Sequence, residues 1–277
     1  METFIIYYME KFVVKKIPTF DIAQTLECGQ VFRYGCDNGI WHVNSLDHIL
    51  YIKDNGNEYE METDDVSYFK NYLDLDRDYE TIQKEVQDGG FVSEAIEYGK
   101  GVRVLNQDTF EMLFSFIVSQ NNNIPRIKGT IEKFCKYLGK DMGGYYAFPT
   151  LEALASKDVS FYKDCGCGYR AEYIDGIAKQ MLKEGFPDLN SMSTEQAREK
   201  LMSYKGIGRK VADCILLFGL GRKDVFPVDT WIYKVYENEF KGASPEKMAT
   251  LLCQKYKKNC GFVQQWVFFY KRNYKKI

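Results

Sequence analysis

Residues 201–229 read LMSYKGIGRKVADCILLFGLGRKDVFPVD, and this stretch decides the reading of the chain. A helix is expected to end near Tyr204, a tight turn to form at Gly206-Ile207-Gly208, and a second helix to start near Arg209. Two glycines let the backbone come close to another group. The free N–H groups at the start of the second helix suit a phosphate oxygen. Lys205, Arg209 and Lys210 add positive charge around the turn. The spacing is that of a helix-hairpin-helix, although an ordinary corner between two helices fits Gly-x-Gly equally well on this feature alone.

Lys210 falls in the first turn of the second helix, where the helix dipole disfavours an ammonium ion. The run VADCILLF that follows is largely apolar and partly desolvates it. Both effects favour a neutral amine, which can act as a nucleophile. A solvated lysine that only contacts phosphate is the other reading, and the residue types leave both open. Cys214, four residues on, shares its helix face. Asp229 follows Pro227-Val228 and precedes TWIYKVYENEF, so it reads as the N-cap of a further helix. A capping carboxylate is held rigid, which also suits a group that stabilises positive charge on a sugar ring as a glycosidic bond breaks.

Working outward, the 277 residues are 45% hydrophobic and 16% aromatic, which marks a folded chain with a sizeable core. No segment approaches the roughly 18 unbroken apolar residues of a membrane span. FIIYYM at 4–9 is too short for a signal-peptide core and reads as a strand. The eight cysteines are scattered. Cys165 and Cys167 stand as C-x-C, and Cys253 and Cys260 as C-x6-C. These are too few ligands in register for an iron–sulfur cluster, and reduced thiols in an intracellular protein are expected, in cytoplasm or nucleoid for a bacterium. His42 and His48 are the only histidines, so a histidine metal site or triad is not expected. The net charge of −2 hides an asymmetry. Residues 1–100 carry 9 Lys+Arg against 20 Asp+Glu, and residues 101–277 carry 28 against 19. A basic binding part beside an acidic support is the expected arrangement, with chance surface drift as the bland alternative.

KFVVKKI, QVFRY, IWHVNS, HILYIKD and EYEMET read as strands, with hairpin turns at Asp37-Asn38-Gly39 and Asp54-Asn55-Gly56. From Asp64 the pattern becomes helical, over 65–75, 79–87 and 91–98. Asp108 and Glu111 form a start signal close to a capping box. Pro125 sits in a first turn and Gly139 ends that helix, Thr150 caps LEALAS, a helix over 170–184 stops at Gly185, and Ser193 with Gln196 forms a capping box. Further helices are expected over 245–258 and 262–274. The fold class is α+β: residues 1–103 form an antiparallel sheet domain with flanking helices, and residues 104–277 form a helical hairpin-bearing domain.

The residues resemble a known family. GIGRKVADC with PVD is similar to the 8-oxoguanine DNA glycosylase/lyase branch of the helix-hairpin-helix DNA glycosylases. FSFIVSQNNNIPRI at 114–127, CGCGYRA at 165–171, CGQVFR at 28–33 and GFVQQWVFF at 261–269 resemble further segments of that family, in the same order. The resemblance implies base-excision repair. Lys210 would attack C1′ and leave a Schiff base open to β-elimination, and Asp229 would stabilise charge on the deoxyribose. The main-chain carbonyl of Gly29 would accept the N7–H that oxidation creates, where ordinary guanine has an acceptor. Cys214 and Phe268 would sandwich the purine, and Gln264 would bond its Watson–Crick edge. Asn121 would fill the gap left by the flipped nucleotide, Tyr169 would wedge between base pairs, Arg126 and Arg170 would hold the estranged cytosine, and Gly206, Ile207 and Gly208 would carry the phosphate contact. Read without the resemblance, Asn121 to Asn123 also fit a polar loop, Phe268 a core position and Gly29 a plain turn.

The implied partner is double-stranded DNA containing oxidised guanine, bound by a monomer with no membrane partner. No cofactor is required, and a structural cation at the hairpin carbonyls is compatible with the family. The chain departs from the family at Trp231, where the animal enzymes carry a histidine, at Phe269-Tyr270-Lys271, which lacks an expected acidic residue, at Lys205, which replaces a proline, and at Gln120. Two rivals stand beside this reading. A monofunctional glycosylase for alkylated bases would lack the lysine, and a non-catalytic helix-hairpin-helix module would have no use for Lys210, Asp229 and a purine pocket together.

Overall fold

The alternating N-terminal runs fold into one antiparallel sheet, in a computed structural model that describes residues 8–274. Its strands are β1 (Glu10–Lys15), β2 (Tyr34–Asp37), β3 (Ile40–Ser45), β4 (His48–Asp54) and β5 (Glu58–Thr63), in spatial order β1-β5-β4-β3-β2. Side-chain alternation fixes the register. Val43 lies opposite Leu50, and Ile52 opposite Met61. These four are fully buried with Tyr59, against Phe69 and Tyr72 of the first helix after the sheet. The opposite face is solvated, and Lys11 there pairs with Glu60 and Glu62. The β2–β3 turn has positive φ at both Asn38 and Gly39, as a two-residue hairpin requires.

The helices follow as α1 (Ile22–Glu27), α2 (Val66–Tyr72), α3 (Tyr79–Val86), α4 (Phe91–Tyr98), α5 (Thr109–Ser119), α6 (Ile124–Leu138), α7 (Leu151–Ala155), α8 (Val159–Asp164), α9 (Ala171–Glu184), α10 (Thr194–Met202), α11 (Arg209–Phe218), α12 (Thr230–Tyr236), α13 (Pro245–Tyr256) and α14 (Cys260–Asn273). Most start where a side chain can accept a first-turn N–H: Asp108, Asn123, Thr150, Asp229 and Ser244 all do so, and Ser193 with Gln196 closes a full capping box. The larger core joins α5, α9, α10, α11, α13 and α14 around Phe114, Leu216, Phe226 and Trp266. α14 also packs on α4, so the C-terminal helix reaches back to the N-terminal part. Among the described residues no helix is long and apolar enough to cross a membrane.

Two expectations are corrected, one helix was missed, and one expected strand lies largely outside the described residues. QVFRY is not a strand: β2 begins only at Tyr34, because the Gln30 and Arg33 side chains turn into buried polar networks, and in this stretch before Tyr34 only the Arg33 carbonyl bonds toward β3, accepting the Asn44 N–H. α1 was not anticipated at all; Asp21 caps it by accepting from the Gln24 N–H. Glu111 does not complete a capping box. Its carboxylate leaves the helix end, pairs with buried Arg33 at 3.1 Å and accepts the Leu46 N–H at 2.7 Å, which joins α5 to the β3–β4 turn. The strand expected over 4–9 falls largely outside the described residues, and Tyr8 and Met9 are not in a strand.

Candidate active site

The hairpin forms as the glycine spacing requires. Gly206 has φ +93°, and a Cβ there would lie 2.3 Å from the Tyr173 ring, so only glycine fits. Ile207 is buried and anchors the turn. Gly208 is the N-cap of α11, has no side-chain cap, and a Cβ on it would meet nothing, so the first N–H groups of α11 are open to an approaching ligand. The Tyr204 carbonyl accepts the Ile207 N–H, which closes the turn. Among the described residues, no cluster of three His, Cys, Asp or Glu is placed to hold a metal.

Lys210 opens α11, and Asp229 opens α12 by accepting the Ile232 N–H at 2.8 Å. Both line one narrow cleft with Gly29, Cys214, Gln264 and Phe268. The structure therefore brings together six residues that lie as far apart as 29 and 268 in sequence. The Lys210 Nζ stands 5.9 Å from the centroid of the Phe116 ring, which also lines the cleft. Burial pushes the Asp229 carboxyl above the usual carboxylate range, while the Ile232 N–H and the nearby Lys210 pull it back. Burial also pushes the Cys214 thiol up to about 11, so it is a neutral, polarizable wall and no rival nucleophile.

Gly29 enters the cleft on a loop pinned by buried amides. Gln30 donates to the carbonyls of Thr25 and Arg103 and accepts the Leu105 N–H, Gln107 donates to the Gln30 carbonyl, and Gln265 donates to the Cys28 carbonyl. Gly29 itself has φ +89°. The cleft measures about 50 Å³. It opens at Lys210 and Asp229 into a groove of about 1,140 Å³ that runs past Asn121, Tyr169, Gly208 and Trp231.

The polar loop divides its labour. Asn122 donates to the Val118 carbonyl and Asn123 caps α6, whereas Asn121 is exposed with φ +46°. Tyr169 is 51% exposed and stands edge-on to Tyr173, the ring that covers Gly206. Arg126 is exposed, with one long bond to the Gly166 carbonyl at 3.4 Å. Arg170 is not placed as expected. It is buried, and its guanidinium donates to the carbonyls of Gln120, Asn121 and Cys167. It therefore braces the Asn121 loop and has no free donor edge for a cytosine in this conformation. Arg209 also departs from expectation. It turns away from the groove to Asp213, at 3.6 Å, and Thr250, because buried Asp213 on the same helix face attracts it together with Arg198.

The family described as 8-oxoguanine DNA glycosylase, N-terminal domain, matches residues 12–113, and that described as HhH-GPD superfamily base excision DNA repair protein matches residues 114–259. The chain belongs to the 8-oxoguanine DNA glycosylase family of the HhH-GPD superfamily. Among solved structures of this family, MBOgg1 in complex with a low-affinity DNA ligand is 35% identical, with a TM-score of 0.90 over 98% of this chain and 99% of that one. The Clostridium acetobutylicum 8-oxoguanine glycosylase/lyase, in complex with duplex DNA containing cytosine opposite the lesion, is 30% identical, with a TM-score of 0.90 over 97% and 99%. The N-glycosylase/DNA lyase of Saccharomyces cerevisiae is 30% identical over 220 residues, 72% of this chain and 56% of that protein. The chain spans about half the length of this yeast relative and of a similar N-glycosylase/DNA lyase from Arabidopsis thaliana.

Sequence reasoning missed three residues of this family member's site. Phe116 underlies Lys210, Gln265 pins the Gly29 loop, and Arg272 lies over the Phe268 ring at 5.6 Å. Only Arg272 carried a readable signal, its i+4 spacing from Phe268.

Proposed function

We propose that this protein is a bifunctional base-excision repair enzyme that removes 8-oxoguanine from duplex DNA and cleaves the resulting abasic site. The observation that carries this reading is the placement of Lys210, Asp229, Gly29, Cys214, Gln264 and Phe268 around one cleft. A monofunctional glycosylase has no need of an amine there, and a binding module has no need of the cleft.

In this reading the groove takes the duplex, the open N–H groups of α11 take a phosphate, and the damaged nucleotide is flipped into the cleft. The Lys210 nitrogen bonds to C1′ as the C1′–N9 bond breaks, and the base departs with the electron pair and takes up a proton. Asp229 stabilises the positive charge that develops on the sugar. The sugar ring opens to an imine on Lys210, and loss of a C2′ proton expels the 3′ phosphate. The cleft is narrow and opens directly into the groove at Lys210 and Asp229. Phe268, partly exposed at the cleft, is the side chain on which a flipped purine would stack.

Cytosine opposite the lesion is the favoured partner, read by Arg126, whose exposed donors match cytosine's acceptors. The test is borohydride trapping on a duplex with 8-oxoguanine opposite cytosine. A covalent adduct is expected with the wild type and none with Lys210→Gln. An active wild-type preparation that excises the base yet forms no adduct would refute the lyase step.

A further inference from the structure

Two polar atoms in and beside the cleft are buried without a partner, Gln264 Oε1 and Arg272 Nη1. Arg272 stands one helical turn after Phe268 on α14. Its Nη2 donates to the Glu27 carbonyl, and its guanidinium covers the Phe268 ring. Its Nη1 lies 2.6 Å from where a Cβ on Gly29 would be, and Phe268 Cε1 lies 3.0 Å from the same point. A charged donor is thus desolvated beside Gly29 with nothing to bond. Such orphans carry a free-energy cost and persist where a ligand supplies the missing partner.

We propose that Arg272 reads the C8 carbonyl oxygen of the lesion. The inference rests on the lesion reading above and deepens it. Oxidation of guanine changes two neighbouring atoms: N7 gains a proton and C8 gains an oxygen. The lesion edge then presents a donor beside an acceptor. The unpartnered Arg272 Nη1–H beside Gly29 is a donor for that oxygen, and the Gly29 carbonyl is the acceptor that the family resemblance implies for N7–H. Undamaged guanine presents a bare N7 and a C8–H, so it satisfies neither. Gln264 Oε1, the other orphan, is an acceptor suited to the N–H groups on the opposite edge of the same base. Gly29 is held at φ +89°, which favours glycine, and a Cβ there would also press on Nη1 and the Phe268 ring.

The test compares single-turnover excision of 8-oxoguanine with that of 8-thioguanine, which keeps N7–H and replaces the oxygen by sulfur, a poor acceptor. Each rate is divided by the rate at which the same protein cleaves a preformed abasic site. The wild type should favour the oxygen lesion about tenfold or more. Arg272→Leu should lower normalised 8-oxoguanine excision by about tenfold and bring the oxygen-to-sulfur ratio close to one, and Arg272→Lys should retain part of the preference. If Arg272→Leu also loses abasic cleavage, the wild-type ratio and Arg272→Lys decide. An oxygen-to-sulfur ratio unchanged by either variant, or equal to one in the wild type, would overturn the inference. A wild type that cleaves abasic sites but excises neither lesion would overturn the lesion reading, and this inference with it.

Discussion

At the scale of the residue, the two arginines expected to hold the estranged cytosine occupy different environments. Arg126 is exposed and nearly free, whereas Arg170 is buried and donates to three backbone carbonyls around left-handed Asn121. Arg126→Gln should therefore flatten the opposite-base preference, by about tenfold for cytosine. Arg170→Gln should slow excision opposite all four bases alike, because it loosens the loop. Single-turnover rates against the four pairings separate the two effects, and relaxed cytosine preference in Arg170→Gln alone would contradict the assignment. Asp229 combines a cap with a charge. Asp229→Asn keeps a capping oxygen, so it should retain the fold and duplex affinity while turnover drops by about a hundredfold or more. A gel-shift assay beside the excision assay checks both halves. The shared placement of Lys210 and Asp229 in one cleft was legible in the sequence because each sits beside a local helix-start signal. The fate of Arg170 was not, because its partners Gln120 and Asn121 come from another segment, whereas the i,i+4 spacing of Arg209 and Asp213 was there to be read.

At the scale of the element, the α10–α11 hairpin depends on one backbone conformation. Gly206→Ala places a methyl into the Tyr173 ring at positive φ, and a loss of about 1–3 kcal/mol in stability is expected from denaturant unfolding. Below the far end of α11, Lys223 is buried, donates to Asn106 Oδ1 at 3.1 Å, and has its pKa pushed down to about 7 by burial. Its unfolded value stays near 10.5, so between about 7 and 10.5 the unfolded chain binds the extra proton. Stability from this group is full above that window and is lost as pH falls through 7. Relative to Lys223→Met, the wild type should gain up to about 1.4 kcal/mol per pH unit on going up through the window. Equal slopes in urea unfolding of the two proteins would show that the amine is not buried. Strands with clean alternation, such as HILYIKD and EYEMET, were legible, as were helices with a capping residue. QVFRY misled because Val31 and Phe32 are core residues on an irregular loop held by buried amides, and apolar content alone cannot tell such a loop from a strand.

At the scale of the whole molecule, charge and topology act together. The acidic first hundred residues supply the sheet and the Gly29 loop, and the basic remainder supplies the hairpin and groove. Duplex affinity should fall linearly on a log–log plot against salt. Lys205→Gln should reduce that slope by about one phosphate contact. Arg209→Gln should leave the slope unchanged and reduce stability instead, because Arg209 faces Asp213. Most of the fold could be read from the chain because local signals and global packing agree. The closure of the cleft could not, since it depends on α14 docking back onto the N-terminal part and carrying Phe268 and Arg272 to Gly29.

The account turns on a single amine at the start of α11. Reduction of the protein–DNA intermediate with borohydride, followed by proteolysis and mass spectrometry, locates the nitrogen bonded to C1′. The sugar remnant should be found on Lys210. A remnant on Lys205, or on any other amine, would contradict the account.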